Sequence, residues 1–249
     1  MKKAKFKGHS DQRVTALLTG RGGSTLRDKN VILVLGKPLL SYPAKAAYGS
    51  NLIHDYYVSS DSIKILNSAK AIGYFPIKRP PAFSKPDSQH EDVIRHTLSH
   101  LKKLEKVPDI IVVLLANSVT IKTKWIDDCI EAIIKDPSLT AVVPVYQDSD
   151  HHPFRSKKIN KSGLLEPFFD FKGKIVSTNR QDLEPSYFLC HNFWVLRTSN
   201  FESSTGQQPW KFMGNKIKPY VMKEETFDVH GMADINRSEK WLKANKKHG

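Results

Sequence analysis

The sequence predicts a three-layer, Rossmann-like α/β fold with a mainly parallel sheet and an inserted lobe. Five short apolar or β-branched runs alternate with stretches whose apolar residues recur at helical spacing. Apolar residues make up 39% of the 249 positions, enough for the core of one large domain spanning 1–249. The longest apolar run, residues 110–116, is far shorter than the roughly 20 residues that a membrane span needs, so no membrane partner is expected.

The predicted strands are residues 14–19, 56–59, 74–77, 110–115 and 141–145. The first helix is predicted with Pro38 in its first turn, followed by the apolar face of Leu40, Ala44 and Ala47. Pro43 is compatible with this helix only in its first turn or at a kink. Two further helices are predicted from the apolar sets Ile65, Ala69 and Ile72, and Ile126, Ile130, Ile133 and Ile134.

The helix with the strongest pattern is expected to begin near Asp87. Ser88 and Glu91 have the spacing of a capping box, and the apolar positions 94, 98 and 101 mark one face. The alternation of strands and helices stops after Pro144. Residues 146 to about 185 are polar and rich in turns, and an apolar run resumes at Tyr187, which predicts an inserted lobe over residues 146–190. The pair Phe168 and Phe169 suits either a small core within this lobe or a dimer contact.

The net charge of +14 raises the question of nucleic-acid binding. Eight lysines in residues 1–9 and 240–249, where no acidic residue stands, leave +6 for the body of the chain. Such tails are more often solvated ends than binding arms, so nucleic acid is not the expected partner. A modest positive excess suits a site for small anions. Cys129 and Cys190 are expected to be buried thiols, and a cytoplasmic location is expected.

The residues that indicate chemistry follow the first predicted strand, where residues 20–30 read GRGGSTLRDKN. A glycine-rich turn at the carboxyl end of a parallel strand brings backbone N–H groups onto phosphate oxygens, because no Cβ blocks their approach. Arg21, Arg27 and Lys29 supply positive charge beside it. The spacing is that of neither a dinucleotide-binding fingerprint nor a Walker loop.

Further motifs occur in order along most of the chain. They are RGGS at 21–24, KN at 29–30, GKPL at 36–39, VSSD at 58–61, RP at 79–80, RQDL at 180–183, YVM at 220–222 and DVH at 228–230. Together they resemble the acylneuraminate cytidylyltransferase family, the CMP-sialic acid synthetases and their relatives. The resemblance implies transfer of CMP from CTP to the anomeric hydroxyl of an acidic 2-keto sugar, with release of pyrophosphate. It also implies a homodimer formed through the lobe.

The resemblance assigns expected roles to individual residues. Arg21 and Lys29 are the expected catalytic cations, because negative charge builds on the α-phosphate and on the departing pyrophosphate. Gly22, Gly23 and Ser24 complete the triphosphate cradle. Cytidine is expected at Asn30 and Arg79, although Arg79 fits a surface ion pair equally well.

The expected cofactor is Mg²⁺, with Mn²⁺ as the alternative, and Asp228 is its leading ligand. His230 stands where the family has a second aspartate, and it is either a ligand better suited to Mn²⁺ or Zn²⁺ or a hydrogen-bond donor to phosphate. Asp234 either compensates as a metal ligand or caps the last helix.

The acidic sugar acceptor is expected near Asn117 and Ser118, with Arg180 or Lys174 binding its carboxylate. Leu115 replaces the glutamine that the family uses on the sugar, Thr25 replaces a lysine, and residues 191–194 replace an Asn-Gly pair. These departures leave open which acid is activated, sialic, legionaminic, pseudaminic or deoxyoctulosonic acid or a non-sugar acceptor.

Other histidine-containing segments are expected to be structural. Asp150, His151 and His152 suit a solvated loop, and His90, His96 and His100 suit the surface of a helix. The alternatives to the cytidylyltransferase are a glycosyltransferase, another nucleotidyltransferase and an inactive nucleotide-binding protein.

Overall fold

The computed structural model of the chain describes residues 11–23, 26–203 and 205–245. Ser24 and Thr25 of the glycine-rich loop, and most of the terminal lysines, lie outside the described residues. The strands are β1 (Val14–Thr19), β2 (Leu33–Val34), β3 (Lys37–Pro38), β4 (Asp55–Ser60), β5 (Phe75–Lys78), β6 (Ile110–Leu115), β7 (Ala141–Gln147), β8 (Lys157–Ile159), β9 (Leu165–Pro167), β10 (Tyr187–Leu189), β11 (Phe193–Arg197) and β12 (Ile217–Val221). The α-helices are α1 (Ser41–Tyr48), α2 (Ile63–Lys70), α3 (His90–Lys103), α4 (Thr123–Lys135) and α5 (Met232–Ala244).

One sheet forms the centre of the fold, in the order β10-β7-β11-β6-β1-β4-β5, with β12 also paired to β7. The four strands β5, β4, β1 and β6 are parallel, and β11 runs antiparallel to both β6 and β7. The carboxyl ends of the parallel strands therefore meet at one edge, together with the amino end of β11. This confirms the predicted α/β fold and its mainly parallel sheet.

Helices cover both faces of the sheet. On one face α1, α2 and α4 pack against alternate residues of the central strands, such as Leu18, Val58 and Val112. On the other face Ile94 and Leu101 of α3, with Trp194 and Phe212, pack against the opposite set, such as Leu17 and Val113. A strand that is buried on both faces needs a continuous apolar sequence, which is why β1 and β6 have the predicted bounds.

Three local expectations are wrong. Pro38 lies in the β2–β3 hairpin, and the helix starts at Ser41 with Pro43 in its first turn. Ser88 does not cap α3, because its Oγ accepts a hydrogen bond from the backbone N–H of Lys85 and donates to the carbonyl of Ala82. The helix begins at His90 with Gln89 at its N-cap.

Residues 148–186, between β7 and β10, contribute no strand to the main sheet. They contain the β8–β9 hairpin and an aromatic cluster in which the ring of Phe154 lies 6.2 Å from Phe169 and 5.6 Å from Phe171. This excursion is shorter at both ends than the predicted lobe, because β7 and β10 extend into it. Cys129 and Cys190 are buried free thiols, as expected. Among the described residues, every helix is too short or too polar to cross a bilayer.

Candidate active site

A cavity of about 450 Å³ opens where the parallel strands end. Gly20 and Arg21 follow β1, Arg79 follows β5, and Asn117 follows β6. The start of α3 and residues 228–230 close the sides. Because strands from both halves of the sheet end here, residues far apart in the sequence converge on one site, as is general for ligand sites of open α/β sheets.

The glycine-rich loop is held tightly against the sheet. The backbone N–H of Gly22 donates to Asp61 Oδ1 at 2.9 Å, and Asn30 Nδ2 donates to the carbonyl of Arg21 at 3.0 Å. A Cβ at Gly22 would lie 2.9 Å from the Cβ of Ser62, too close without a shift of the chain. Glycine is therefore required at 22 by close packing, and this approach fixes the turn that carries Arg21.

Arg21 connects this loop to the opposite wall. Its Nε donates to the carbonyl of Gly23 at 2.7 Å, and its Nη1 donates to the carbonyl of Lys85. Neutral acceptors occupy these donors, so the positive charge of the guanidinium is not cancelled by an ion pair among the described residues. The charge remains directed at the cavity that Arg21 lines.

Arg79 is buried, with only 5% of its surface exposed, so the alternative of a surface ion pair is wrong. Its Nη2 donates to the carbonyl of Ser59 at 2.7 Å and its Nε to the hydroxyl of the same residue. Burial lowers the pKa of Arg79 to about 10, against the opposing effect of Asp61. The guanidinium stays charged at neutral pH and is held rigidly in the cavity wall.

Lys29 and Asp228 face the same end of the cavity. Burial lowers the pKa of the Lys29 ammonium, while the negative charge of Asp228 raises it and the positive charge of Arg21 lowers it. Arg21, Lys29 and Asp228 all line this one cavity, so their charges share the same space. The turn after β1 and the segment that carries Asp228 and His230 therefore form one electrostatic site.

Asp228 is positioned by two neighbours. Asn117 Nδ2 lies 3.1 Å from its Oδ2, and His230 Nε2 lies 2.8 Å from the same oxygen. Among the described residues no group of three or more His, Cys, Asp or Glu side chains could hold a metal ion. A single carboxylate nevertheless suits Mg²⁺, which commonly takes one or two protein carboxylates, substrate phosphates and water.

Asp234 caps a helix and does not face the cavity. Its Oδ2 accepts hydrogen bonds of 2.9 Å from the backbone N–H groups of His230 and Gly231, just before α5. It is the third residue of α5 and reaches back over the helix start, as in a capping box. These bonds lower the pKa of the Asp234 carboxyl. Of the two expected roles, the structure favours the cap.

A family model for cytidylyltransferases matches residues 15–183 of the chain, more than half of its length. The chain belongs to the cytidylyltransferase family.

Three curated relatives illustrate this membership. An N-acylneuraminate cytidylyltransferase A of Danio rerio is 29% identical over 63% of this chain and 35% of its own. An N-acylneuraminate cytidylyltransferase of Oncorhynchus mykiss is 30% identical over 81% of this chain and 45% of its own. A Helicobacter pylori protein named pseudaminic acid cytidylyltransferase and UDP-2,4-diacetamido-2,4,6-trideoxy-beta-L-altropyranose hydrolase is 28% identical over 70% and 33%. The chain thus matches less than half the length of these relatives.

Two solved structures share the cytidylyltransferase fold seen here. One is a CMP:2-keto-3-deoxy-manno-octonic acid synthetase complexed with CTP, with a TM-score of 0.66 and 14% identity over 94% of this chain and 99% of that one. The other is a 4-diphosphocytidyl-2C-methyl-D-erythritol synthase of Anaerococcus prevotii, with a TM-score of 0.63 and 13% identity over 93% and 96%. At these identities the likeness concerns the fold alone.

In this member of the cytidylyltransferase family the cavity brings together most of the residues selected from the sequence. They are Arg21, Gly23, Lys29, Asn30, Arg79, Asn117, Asp228 and His230. Gly22 does not line the cavity but packs closely against Ser62. Ser24 lies outside the described residues.

Three expected acceptor residues do not reach the cavity. Ser118 is completely buried, and its hydroxyl donates to the carbonyl of Phe227 at 3.0 Å. Arg180 is exposed and pairs with Asp150 at 2.6 Å, within the segment between β7 and β10. Lys174 is likewise exposed and does not line the cavity.

The opposite wall contains residues that were not predicted from the sequence. His90 was expected on a helix surface, but it is the first residue of α3 and lines the cavity together with His191 and Lys85. The protein atoms of the concave wall, with His191 and Arg79, lower the pKa of the His90 ring to about 4, although the residue keeps an exposed surface toward the cavity. The only signal in the sequence was the position of His90 at a helix start that follows the RP motif.

Proposed function

We propose that this chain transfers CMP from CTP to the anomeric hydroxyl of an acidic 2-keto sugar and releases pyrophosphate. One observation carries the proposal. The cavity is lined by four basic side chains, Arg21, Lys29, Arg79 and Lys85, and by one carboxylate, Asp228. This net positive charge suits a triphosphate and a second, acidic substrate in the same space. The names of the curated relatives support both the nucleotide and the class of acceptor.

The glycine-rich loop is the proposed binding site for the triphosphate. Its backbone approaches the ligand at Gly23, where no neighbouring atom lies within 4 Å of a Cβ position. Arg21 and Lys29 stabilise the negative charge that develops on the α-phosphate and the departing pyrophosphate. The cytidine is assigned to Asn30 and Arg79, which line the same cavity on the side of β4 and β5.

The proposed cofactor is Mg²⁺, with Mn²⁺ as the alternative, held by Asp228. The carboxylate faces the cavity, and its neighbours Asn117 and His230 fix its orientation. When bound, the ion neutralises phosphate charge and helps align the triphosphate. His230 acts in this proposal as a hydrogen-bonding neighbour of the ligand, consistent with its 2.8 Å contact to Asp228.

The acceptor is proposed to attack the α-phosphate from the side opposite the pyrophosphate. The chain's contribution is to hold both substrates in line and to supply fixed positive charge, since phosphoryl transfer depends mainly on positioning and electrostatics. Because the cavity has four cations and only one carboxylate, its net positive charge can also attract the carboxylate of an acidic sugar.

A homodimer through the segment between β7 and β10 is also proposed. Ile159 of β8 and Leu165 of β9 stand directly opposite each other in the hairpin and are 72% and 73% exposed. Phe168 and Phe169, although they contact each other, remain partly exposed beside them. A cluster of exposed apolar side chains of this kind is typical of an interaction surface.

The test is a pyrophosphate-release assay with CTP, Mg²⁺ and a panel of N-acetylneuraminic, legionaminic, pseudaminic and deoxyoctulosonic acids. Release that depends on one acid, with the corresponding CMP conjugate identified by mass spectrometry, is the expected result. A sugar phosphate and a polyol phosphate serve as comparison acceptors. Activity with these alone indicates another nucleotidyltransferase, and CTP binding without turnover on any acceptor indicates an inactive nucleotide-binding protein.

A further inference from the structure

Two histidines form one side of the cavity and share a buried support. The ring of His90 lies edge-on to Trp194 at 5.3 Å between centroids, and the ring of His191 lies 6.1 Å from the same indole. Trp194 is fully buried, and its Nε1 donates to the carbonyl of Cys190 at 3.2 Å. The indole is therefore fixed in the core, and both imidazoles pack edge-on against it.

The ring nitrogens of both histidines are available to a ligand. No hydrogen bond joins them to another residue within 11–23, 26–203 or 205–245, although His151 and His152 in the segment after β7 both have such partners. His90 is neutral at physiological pH because its pKa is about 4. A neutral imidazole offers one N–H donor and one nitrogen acceptor, which together match a hydroxyl group.

The sheet order places His191, and with it the indole of Trp194 against which His90 packs, on the side of the cavity opposite the end of β5. The glycine-rich loop follows β1, at the centre of the order β11-β6-β1-β4-β5. Arg79 follows β5, two strands to one side, and His191 precedes β11, two strands to the other. With the triphosphate over β1 and cytidine toward β5, the remaining space beside the α-phosphate lies toward β6 and β11.

This part of the cavity also has an apolar surface. Leu115 at the end of β6 and Val93 of α3 line it, and both side chains are otherwise buried. Hydrogen-bonding rings beside aliphatic groups suit a polyhydroxylated molecule with an apolar substituent, such as a deoxy or acylated sugar.

We propose that His90 and His191 bind hydroxyl groups of the acceptor through their ring nitrogens and so determine which acid this chain accepts. The inference rests on the proposed function, because it takes the nucleotide to occupy the β1 and β5 side. The cations attract the carboxylate of the acceptor, and the two imidazoles distinguish acceptors by the arrangement of their hydroxyl groups.

The test compares His90→Phe and His191→Phe with the wild-type protein in the pyrophosphate-release assay. Phenylalanine keeps an aromatic ring against Trp194 and removes the hydrogen-bonding nitrogens. The KM of the acid should rise about five- to tenfold in each variant, as expected for a lost neutral hydrogen bond. The dissociation constant of CTP, measured by calorimetry, should change less than twofold. His90→Gln and His191→Gln, which can still hydrogen-bond, should recover part of the lost affinity.

A matched control and a modified acceptor sharpen the test. His100→Phe alters an exposed histidine of α3 outside the cavity and should leave both constants unchanged. Monodeoxy derivatives of the accepted acid should include one that loses affinity for the wild-type protein but not for the matching Phe variant. Unchanged acceptor KM values in both Phe variants of an active protein overturn the inference, and so does an equal loss of CTP affinity. A wild-type protein that transfers CMP to none of the acids overturns the proposed function, and this inference with it.

Discussion

At the scale of single residues, the site depends on cations whose charge is not neutralised before the substrate arrives. Arg21 shows this most clearly, because carbonyl oxygens of Gly23 and Lys85 orient its guanidinium without cancelling its charge. Arg21→Ala should lower kcat about 100-fold, the usual effect of removing one group that stabilises transition-state charge. Pyrophosphate release measures this. Arg27→Ala removes an exposed cation of the same loop outside the cavity and serves as the control. Equal losses in the two variants contradict the role of Arg21.

Asp228 is the proposed ligand of the divalent metal ion. Asp228→Asn keeps the side-chain shape and its contact to Asn117 but removes the charge that a hard divalent ion prefers. The Mg²⁺ concentration needed for half-maximal activity should rise at least tenfold, as measured by titration with Mg²⁺ at saturating CTP. Glu225→Gln, at an exposed carboxylate that pairs with Arg237, should leave the requirement unchanged. An unaltered Mg²⁺ titration in the Asn variant moves the ligand to another residue.

At the scale of elements, the glycine-rich loop is held by its close approach to the start of α2. Gly22→Ala places a Cβ 2.9 Å from the Cβ of Ser62. Overpacking of this kind costs about 1–3 kcal/mol, and CTP affinity measured by calorimetry should fall about tenfold or more as the loop shifts. The double variant Gly22→Ala, Ser62→Gly removes the clash and should restore binding. Ser62 makes no capping hydrogen bond to α2, so Ser62→Gly alone is a suitable reference. Failure of the double variant to recover means that the loop needs glycine for a different reason.

The start of α5 gives a prediction with a pH dependence. Asp234→Ala removes the acceptor for two backbone N–H groups and should lower the free energy of unfolding by about 1 kcal/mol at pH 7. Because these bonds depress the folded-state pKa of Asp234, its stabilising effect is full above the unfolded value of 3.8. The effect disappears as the pH falls through the lower folded pKa. Urea unfolding of both proteins should therefore give curves that differ at pH 7 and converge at acid pH. A constant difference across that range excludes the carboxylate as its source.

The elements also show what the sequence could predict. β1 and β6 were located correctly because strands buried on both faces need unbroken apolar runs. β12 was missed, since Pro219 interrupts its pattern and its side chains are mostly half-exposed or exposed. The predicted start of α3 was wrong because Ser88 forms hydrogen bonds with the preceding turn and not with the helix. The spacing of Ser88 and Glu91 in the sequence does not reveal this.

At the scale of the whole molecule, the candidate site was predictable where one motif follows one strand. Arg21 and Lys29 were identified in this way, Asp228 was identified from the resemblance of residues 228–230 to the family, and all three line one cavity. The proposed acceptor side could not be predicted from one motif, because it combines the start of α3 with a residue just ahead of β11, about 100 positions later. His90 and His191 come together because both pack against Trp194 of β11, a contact that the sequence does not reveal. The expected position of Arg180 was wrong because its motif lies on the segment between β7 and β10, outside the sheet.

The proposed dimer is likewise a property of the whole molecule. Leu165→Glu puts a charge at the centre of the exposed apolar surface of the β8–β9 hairpin, where Ile159 is its cross-strand neighbour. Burying that unpaired charge in an interface is unfavourable, so the variant should be monomeric. Light scattering should give the wild-type protein twice the chain mass of 28.3 kDa and the variant the single mass. Val107→Glu changes another exposed aliphatic residue outside the hairpin and should leave the mass doubled. A wild-type mass of one chain, or a variant that remains dimeric, places the interface elsewhere or removes it.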